Sequence, residues 1–446
     1  MAPVELIKTF FDIEQRGSTI KRELVAGLTT FAAMSYIVVV NPLILSSTGM
    51  DRAALLLATV ISAVAGTLVM ALWANLPIAL APGMGSNIVF AQVLVGQMGV
   101  SWRTGLAMVF LNAVLFLVVS LTRWREKIIR AFPASIKLGI QCSIGIFIAY
   151  LGLKNGGLVV ADHDSFIAFA KLSDPAALLV FIGIVLTPVL IVLRLPGAFV
   201  LSILGITLAG LFVHHADGQA VTRWPEHLVA LPVVGSTLLL AFDFHELFTK
   251  FLLLLPVTLY FLLSEFFSGT ATLFAVTRRA NLMTAGEMPN AKAAFASDAL
   301  SSIVGAAVGT STVTAYVESV AGVEAGGRTG LSGVVVAGLF VLALFFGPLI
   351  EIIPAQATAP VLVLVGLLMM EGLAGLDLTQ PEATLPPLSM VLFTVCTGDL
   401  MVGLSVGCFV YTLTTAALGQ WAKITPMVVG LDAAFVIFLV LRNTIV

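Results

Sequence analysis

Charge is what this chain most lacks. Only 10% of its 446 residues are Asp, Glu, Lys or Arg, against roughly 25% in soluble domains. A water-soluble fold of this length needs far more ionised side chains to clothe its surface, which excludes a soluble enzyme. Disorder is excluded for the opposite reason, because 59% of the residues are hydrophobic and mean hydropathy is +1.09. Cysteine is scarce: Cys142, Cys396 and Cys408 each sit inside an apolar run, so neither a disulfide scaffold nor a thiolate cluster is built from them. Positive charge is not in excess. The net charge of −2 offers nucleic acid no basic field, and none is expected as a partner. No Gly-Lys-Ser/Thr phosphate loop occurs, which removes ATP drive from this chain. The histidines (His163, His214, His215, His227 and His245) fall in loops. Adjacent His214 and His215 with Asp217 do not make a metal site, and no metal or cofactor is expected.

What the chain does have is apolar runs of spanning length, about 20 residues each. They cover 24–45, 53–74, 77–97, 104–122, 133–153, 175–193 and 196–213, then 251–276, 293–308, 310–323, 329–352, 354–372, 385–418 and 425–441. The expected fold class is therefore an all-α polytopic membrane protein of fourteen spans. Residues 1–23 are polar and charged, without the apolar core of a cleavable signal. Lysine and arginine placement orients the chain. Lys8, Arg16, Lys21, Arg22, Arg123, Arg125, Lys127, Arg130, Arg194, Arg278, Arg279, Lys292, Arg328 and Arg442 fall on the side of the N-terminus. They outnumber Arg52, Arg103, Lys154, Lys171, Arg223, Lys250 and Lys423 two to one, placing both termini in the cytoplasm. Lys137 lies inside a span and can snorkel to a headgroup.

Two pairs of short matches divide the chain. Arg103-Thr104-Gly105-Leu106 opens span four and Arg328-Thr329-Gly330-Leu331 opens span eleven. Phe132-Pro133-Ala134 and Ile353-Pro354-Ala355 open spans five and twelve at nearly the same separation. Each half then holds seven spans, and an odd number inverts the second half. A 7+7 inverted repeat is the signature of secondary transporters. Spans three and ten, which correspond in this scheme, are both interrupted, by Pro82-Gly83-Met84-Gly85-Ser86-Asn87 and by Gly309-Thr310-Ser311-Thr312-Val313-Thr314. Such paired breaks point to a binding site near the midplane. The freed backbone groups must find protein, water or ligand, and two facing half-helix N-termini would form a donor-rich pocket. Span thirteen is overlong and interrupted at Thr397-Gly398-Asp399.

Ionisable side chains inside spans are costly and read as functional. Glu265 lies in span eight and Glu318 follows the Gly-Thr-Ser-Thr run, while Asn87 closes the Pro82 segment. Two carboxylates and a carboxamide suit a planar solute with N–H donors and ring acceptors, and either acid is a candidate to carry a coupling proton. Asp298 and Asp399 read as packing or capping residues, and Asp432 has no assigned role. The two acids would repel an anion, which disfavours an anion carrier. No intramembrane nucleophile–base pair supports an enzyme.

These residues sit in recognisable surroundings. Leu28-Thr29-Thr30-Phe31-Ala32-Ala33-Met34-Ser35-Tyr36-Ile37-Val38-Val39-Val40-Asn41-Pro42, the Ala81–Asn87 segment, Leu151-Gly152-Leu153-Lys154-Asn155, and the run Gly309–Ser319 with Gly326-Gly327-Arg328-Thr329-Gly330-Leu331 resemble AzgA-like purine permeases. That family lies within the nucleobase/cation symporter (nucleobase–ascorbate transporter) superfamily. The resemblance implies proton-coupled import of a purine base (adenine, guanine or hypoxanthine, with xanthine or urate as alternatives) across the inner membrane. It implies a core domain of residues 24–122 and 251–352, a gate domain of residues 133–213 and 354–441, and a homodimer. Carried over residue by residue, the binding set is Asn87, Glu265 and Glu318, with Gly85, Thr312 and Ser268 beside them. One departure stands out. AzgA-like proteins carry Phe-Asp-Thr or Phe-Asp-Ser where this chain has Phe267-Ser268-Gly269. Serine does not titrate, so the coupling proton falls to Glu265 or Glu318.

Overall fold

Several helices in this chain begin where a short polar side chain accepts a backbone N–H. In the computed structural model, Asp51 accepts from Ala54 N at 2.8 Å and starts α4 (Arg52–Val69). It follows α1 (Pro3–Phe10), α2 (Ile20–Met34) and α3 (Ile37–Ser46). Strand β1 (Leu80–Pro82), α5 (Met84–Ile88, continuing as a π-helix to Gln97) and α6 (Trp102–Leu121) come next. Then come α7 (Ala134–Asn155), a hairpin of β2 (Val159–Asp162) and β3 (Phe166–Phe169), α8 (Pro175–Val192) and α9 (Ala198–Gly210). The second half runs through α10 (Phe244–Thr249), α11 (Phe251–Arg279), α12 (Ala291–Val308), β4 (Val313–Ala315), α13 (Ser319–Glu324), α14 (Gly330–Ala343), α15 (Gly347–Glu351), α16 (Ala355–Met369), α17 (Pro381–Thr397), α18 (Leu400–Ala417) and α19 (Pro426–Ile445). Described are residues 3–122, 133–162, 166–193, 195, 197–214, 219–225, 227–230, 238–284, 287–376 and 379–445. Arg123, Arg125, Lys127, Arg130, Phe132, His163, Arg194, His215 and Asp217, named above, lie outside them.

Ten described helical segments are long and apolar enough to cross a membrane, and Ala198–Gly210 and Pro426–Val440 are shorter apolar helices. The chain is a multi-pass membrane protein. One expectation changes in detail. The fold is mostly helical rather than all-α, because spans three and ten open as strands. Span thirteen is divided at its expected interruption into two helices, α17 and α18. Gly398 at φ 60° turns the chain, and Asp399 caps α18 by accepting from Met401 N at 2.9 Å and Val402 N at 3.3 Å. Asp298 is in the body of α12.

Packing sorts the helices. α12 lies on α4 and α6, and α14 on α2 and α4, while α7 lies on α16, α17 and α18, and α16 on α8 and α9. Glycines allow the closest crossings: a Cβ on Gly145 of α7 would lie 2.5 Å from the backbone oxygen of Gly366 on α16. Small residues let membrane helices approach in this way.

The two Arg-Thr-Gly-Leu tetrads find their reason here. Each opens a helix whose first N–H groups have no intrahelical acceptor. At Arg328, the carboxylate of buried Glu23, near the start of α2, accepts from Arg328 N at 2.9 Å and Thr329 N at 3.4 Å. Asn75 Oδ1 takes Gly330 N at 2.8 Å. At Arg103, Glu246 of α10 accepts from Ser101 N at 3.3 Å and Thr104 Oγ1 at 2.5 Å. Each half thus supplies a carboxylate to the tetrad of the other. Burial pushes the Glu246 carboxyl up, but Lys250 Nζ at 2.7 Å and the Thr104 bond outweigh it and hold it below the usual carboxylate range.

Candidate functional site

The interrupted spans meet. β1 and β4 pair antiparallel, Leu80 opposite Ala315, Ala81 opposite Thr314 and Pro82 opposite Val313. Gly83 N to Thr312 O at 2.9 Å and Tyr316 N to Ala79 O at 3.0 Å extend the pair. Extended chain in a membrane must satisfy every backbone group internally, and neighbouring helices complete this. Thr67 Oγ1 of α4 accepts from Leu80 N at 2.9 Å and donates to Leu80 O at 3.0 Å. Ser302 Oγ of α12 accepts from Val313 N at 3.0 Å and donates to Val313 O at 2.8 Å. Asp298 Oδ1 takes Ala315 N at 3.0 Å, and Ser319 Oγ takes Ala79 N at 3.1 Å. The strand N–H groups of Ala79, Leu80, Val313 and Ala315 are thus taken by neighbouring side chains.

The predicted residues gather along β4 and its flanks. Asn87, fully buried in α5, accepts at Oδ1 from Ser311 Oγ and donates from Nδ2 to Asn41 Oδ1 at 2.5 Å. Asn41 in turn donates to Thr59 Oγ1 at 2.6 Å and Thr310 Oγ1 at 3.0 Å. Glu265, 2% exposed on α11, meets Ser302 Oγ through Oε1. Glu318, half-buried just before α13, accepts the Tyr36 hydroxyl at 2.7 Å. Gly85 faces α7, where a Cβ would lie 2.8 Å from Ile144 Cγ2. Thr312 is buried and its hydroxyl has no partner. Glu265 Oε2 is unpartnered as well, while the Thr314 hydroxyl bonds the Asp298 carboxyl. Hydroxyl donors beside carboxyl oxygens match the edge of a flat heterocycle. Ser268 stands apart: it is exposed, while the next residue, Gly269, faces Asp298, whose Oδ2 a Cβ there would strike.

Sequence reasoning passed over Tyr36, Asn41, Ser302 and Ser311, and underrated Asp298. Tyr36 and Asn41 are polar interruptions of an otherwise apolar first span, a signal of the same kind as Glu265. Ser302 gives none, because serine is common in membrane helices.

Residues 21–383 match a profile described as the permease family. The chain is 36% identical over 439 residues to the guanine/hypoxanthine permease PbuO of Bacillus subtilis (strain 168), covering 96% of this chain and 99% of that one. It is 37% identical over 436 residues to the adenine permease AdeQ of Escherichia coli (strain K12), covering 98% and 96%. Among solved structures it is similar in fold to the transmembrane domain of a cyanobacterium bicarbonate transporter, BicA. The TM-score is 0.61 at 17% identity, covering 86% of this chain and 97% of that one.

Proposed function

The chain belongs to the permease family, and from that premise we propose that it imports a purine nucleobase (adenine, guanine or hypoxanthine) by proton symport across the inner membrane. The observation that carries the reading is the set of buried polar groups around the β1–β4 crossing. Asn87 is held rigid by Asn41 and Ser311, and Glu318 is held by Tyr36. Glu265 Oε2 and the Thr312 hydroxyl are left without partners. Glu265 and Glu318 accept from the N–H edge of the base, Thr312 donates to a ring nitrogen, and Gly85 keeps α5 against α7. Exposed Ser268 lines the approach on α11. Glu265 or Glu318 carries the coupled proton.

A 7+7 inverted repeat is the architecture in which this works. The reciprocal pairs support it, Glu23 on the Arg328 tetrad against Glu246 on the Arg103 tetrad and Thr67 on Leu80 against Ser302 on Val313. Residues 24–122 and 251–352 form the core and 133–213 with 354–441 the gate. The cleft between α2, α3, α14 and α9 supports a sliding seam. It has a volume of about 310 Å³ and is walled by Phe31, Val200, Ile203, Leu342 and Phe346. An apolar seam lets two bodies move without breaking hydrogen bonds. Both termini face the cytoplasm and two copies associate.

Uptake of radiolabelled adenine, guanine and hypoxanthine into cells tests this. Glu318→Ala at normal expression is expected to lower uptake of the transported base at least about 100-fold, since an acceptor of a substrate N–H is lost. Undiminished uptake removes Glu318 from the site. Uptake insensitive to an uncoupler removes the proton.

A further inference from the structure

The hydroxyl of Ser302 has one proton and three neighbours. Val313 N donates to it at 3.0 Å, Val313 O lies at 2.8 Å, and Glu265 Oε1 is in contact. In the other half Thr67 makes the same two bonds to Leu80, at 2.9 and 3.0 Å, and among the described residues no acid bonds its hydroxyl. Both acceptors facing Ser302 cannot have its proton at once. All three contacts are satisfied together only when Ser302 donates to Val313 O, accepts from Val313 N, and accepts a second bond from a protonated Glu265.

From this count we propose that Ser302 is a positioning residue that ties the protonation of Glu265 to the geometry of β4. This rests on the reading of Glu265 as a coupling acid. When Glu265 is protonated, the Ser302 proton stays on Val313 O and the crossing is locked as seen. When Glu265 gives its proton to water, its Oε1 becomes the stronger acceptor and the Ser302 O–H turns to it. Val313 O then loses its donor. A buried carbonyl without a donor is costly, so β4 shifts to find one. The neighbouring Thr312 and Thr314 shift with it. Proton release is thus felt at the base-binding strand, and by linkage base binding is felt at Glu265.

The charged groups on the elements around α11 leave Glu265 this role. Asp298 of α12 is the one whose charge bears on it. Glu318 beside α13 is bonded by Tyr36 and Glu324 pairs with Arg279. Glu246 of α10 pairs with Lys250, and Asp432 of α19 accepts from Thr412. Arg103 of α6 stacks on Trp102, and Lys137 and Lys154 lie towards the two ends of α7.

The test compares Ser302→Ala with Thr67→Ala in proteoliposomes, following radiolabelled hypoxanthine, adenine and guanine uptake against pH. Infrared difference spectra follow the protonated carboxyl band of Glu265, identified by its loss in Glu265→Gln. Ser302→Ala deprives ionised Glu265 of a donor. The pH of half-maximal uptake is expected to move to alkaline by about one unit, the carboxyl band to rise in frequency, and Ser302→Thr to restore both. Thr67→Ala is expected to lower uptake equally at every pH. Equal, pH-independent losses in the two variants with an unmoved carboxyl band would overturn the proposal. The infrared signature does not depend on transport. Absence of uptake of every base by the parent protein therefore counts against the purine reading, and an unmoved band counts against Ser302.

Discussion

At the scale of single residues, the site is a set of side chains that hold one another still. Tyr36 exists in this network as a donor to Glu318. Tyr36→Phe removes one oxygen and leaves the ring in its contact with Phe199, 5.2 Å between centroids. A hydrogen bond to a charged group is worth about 1.5–3 kcal/mol. Base affinity is therefore expected to fall about 10- to 100-fold, by equilibrium binding to the purified protein, with the melting temperature changed little. Asn87 differs, because its carboxamide joins α5 to α3 and to the β4 segment. Asn87→Ala is expected to lower affinity and stability together.

What the sequence revealed at this scale followed chemical surprise. Glu265, Glu318 and Asn87 were legible as candidates because an acid or amide in an apolar run needs a reason. Ser302 and Thr67 were not, since their part is visible only when the carbonyl each one serves is known. Asp298 was undervalued because its partner, Ala315 N, is contributed by another span.

At the scale of elements, the breaks were legible and their form was not. Pro82 without an N–H, Gly83, and the Gly309-Thr-Ser-Thr run all announce that a helix stops. That each stop becomes a strand depends on the partner strand, far away in sequence, and Leu-Ala-Pro or Val-Thr-Ala has no periodicity to show it. The same distance hid the reciprocal carboxylates that cap the tetrad helices. They make separate predictions. Asn75 sits in the left-handed region at φ 52° and serves Gly330 N and Phe11 O. Asn75→Ala leaves a buried N–H unpaired and strains the backbone, at a cost of about 1–3 kcal/mol, read as a lower melting temperature in detergent. Glu246 titrates below the usual carboxylate range when folded. Its contribution to stability is therefore present above that range and fades as pH falls through the folded value. The melting temperature of the parent is expected to fall more steeply below about pH 4.3 than that of Glu246→Gln. Parallel acid limbs would remove Glu246 as a latch.

At the scale of the whole molecule, composition already dictated the membrane, and the run lengths dictated many crossings. Division of the helices into a core and a gate was not legible from composition; it came from family resemblance and stands as a proposal. The apolar cleft lined by Phe31, Val200 and Ile203 reaches Tyr36. Closing that cleft is expected to stop transport while leaving binding intact. A bulky substitution such as Ile203→Trp, tested by uptake beside base binding, checks this.

The proposed import requires a proton gradient to drive a flat base through the β1–β4 crossing. The most direct measurement reconstitutes the purified protein in sealed vesicles and follows radiolabelled adenine, guanine and hypoxanthine with an acidic exterior. Saturable accumulation of at least one base above its external concentration, abolished by an uncoupler, is the predicted result. Equilibration without accumulation, or no entry of any base, contradicts it.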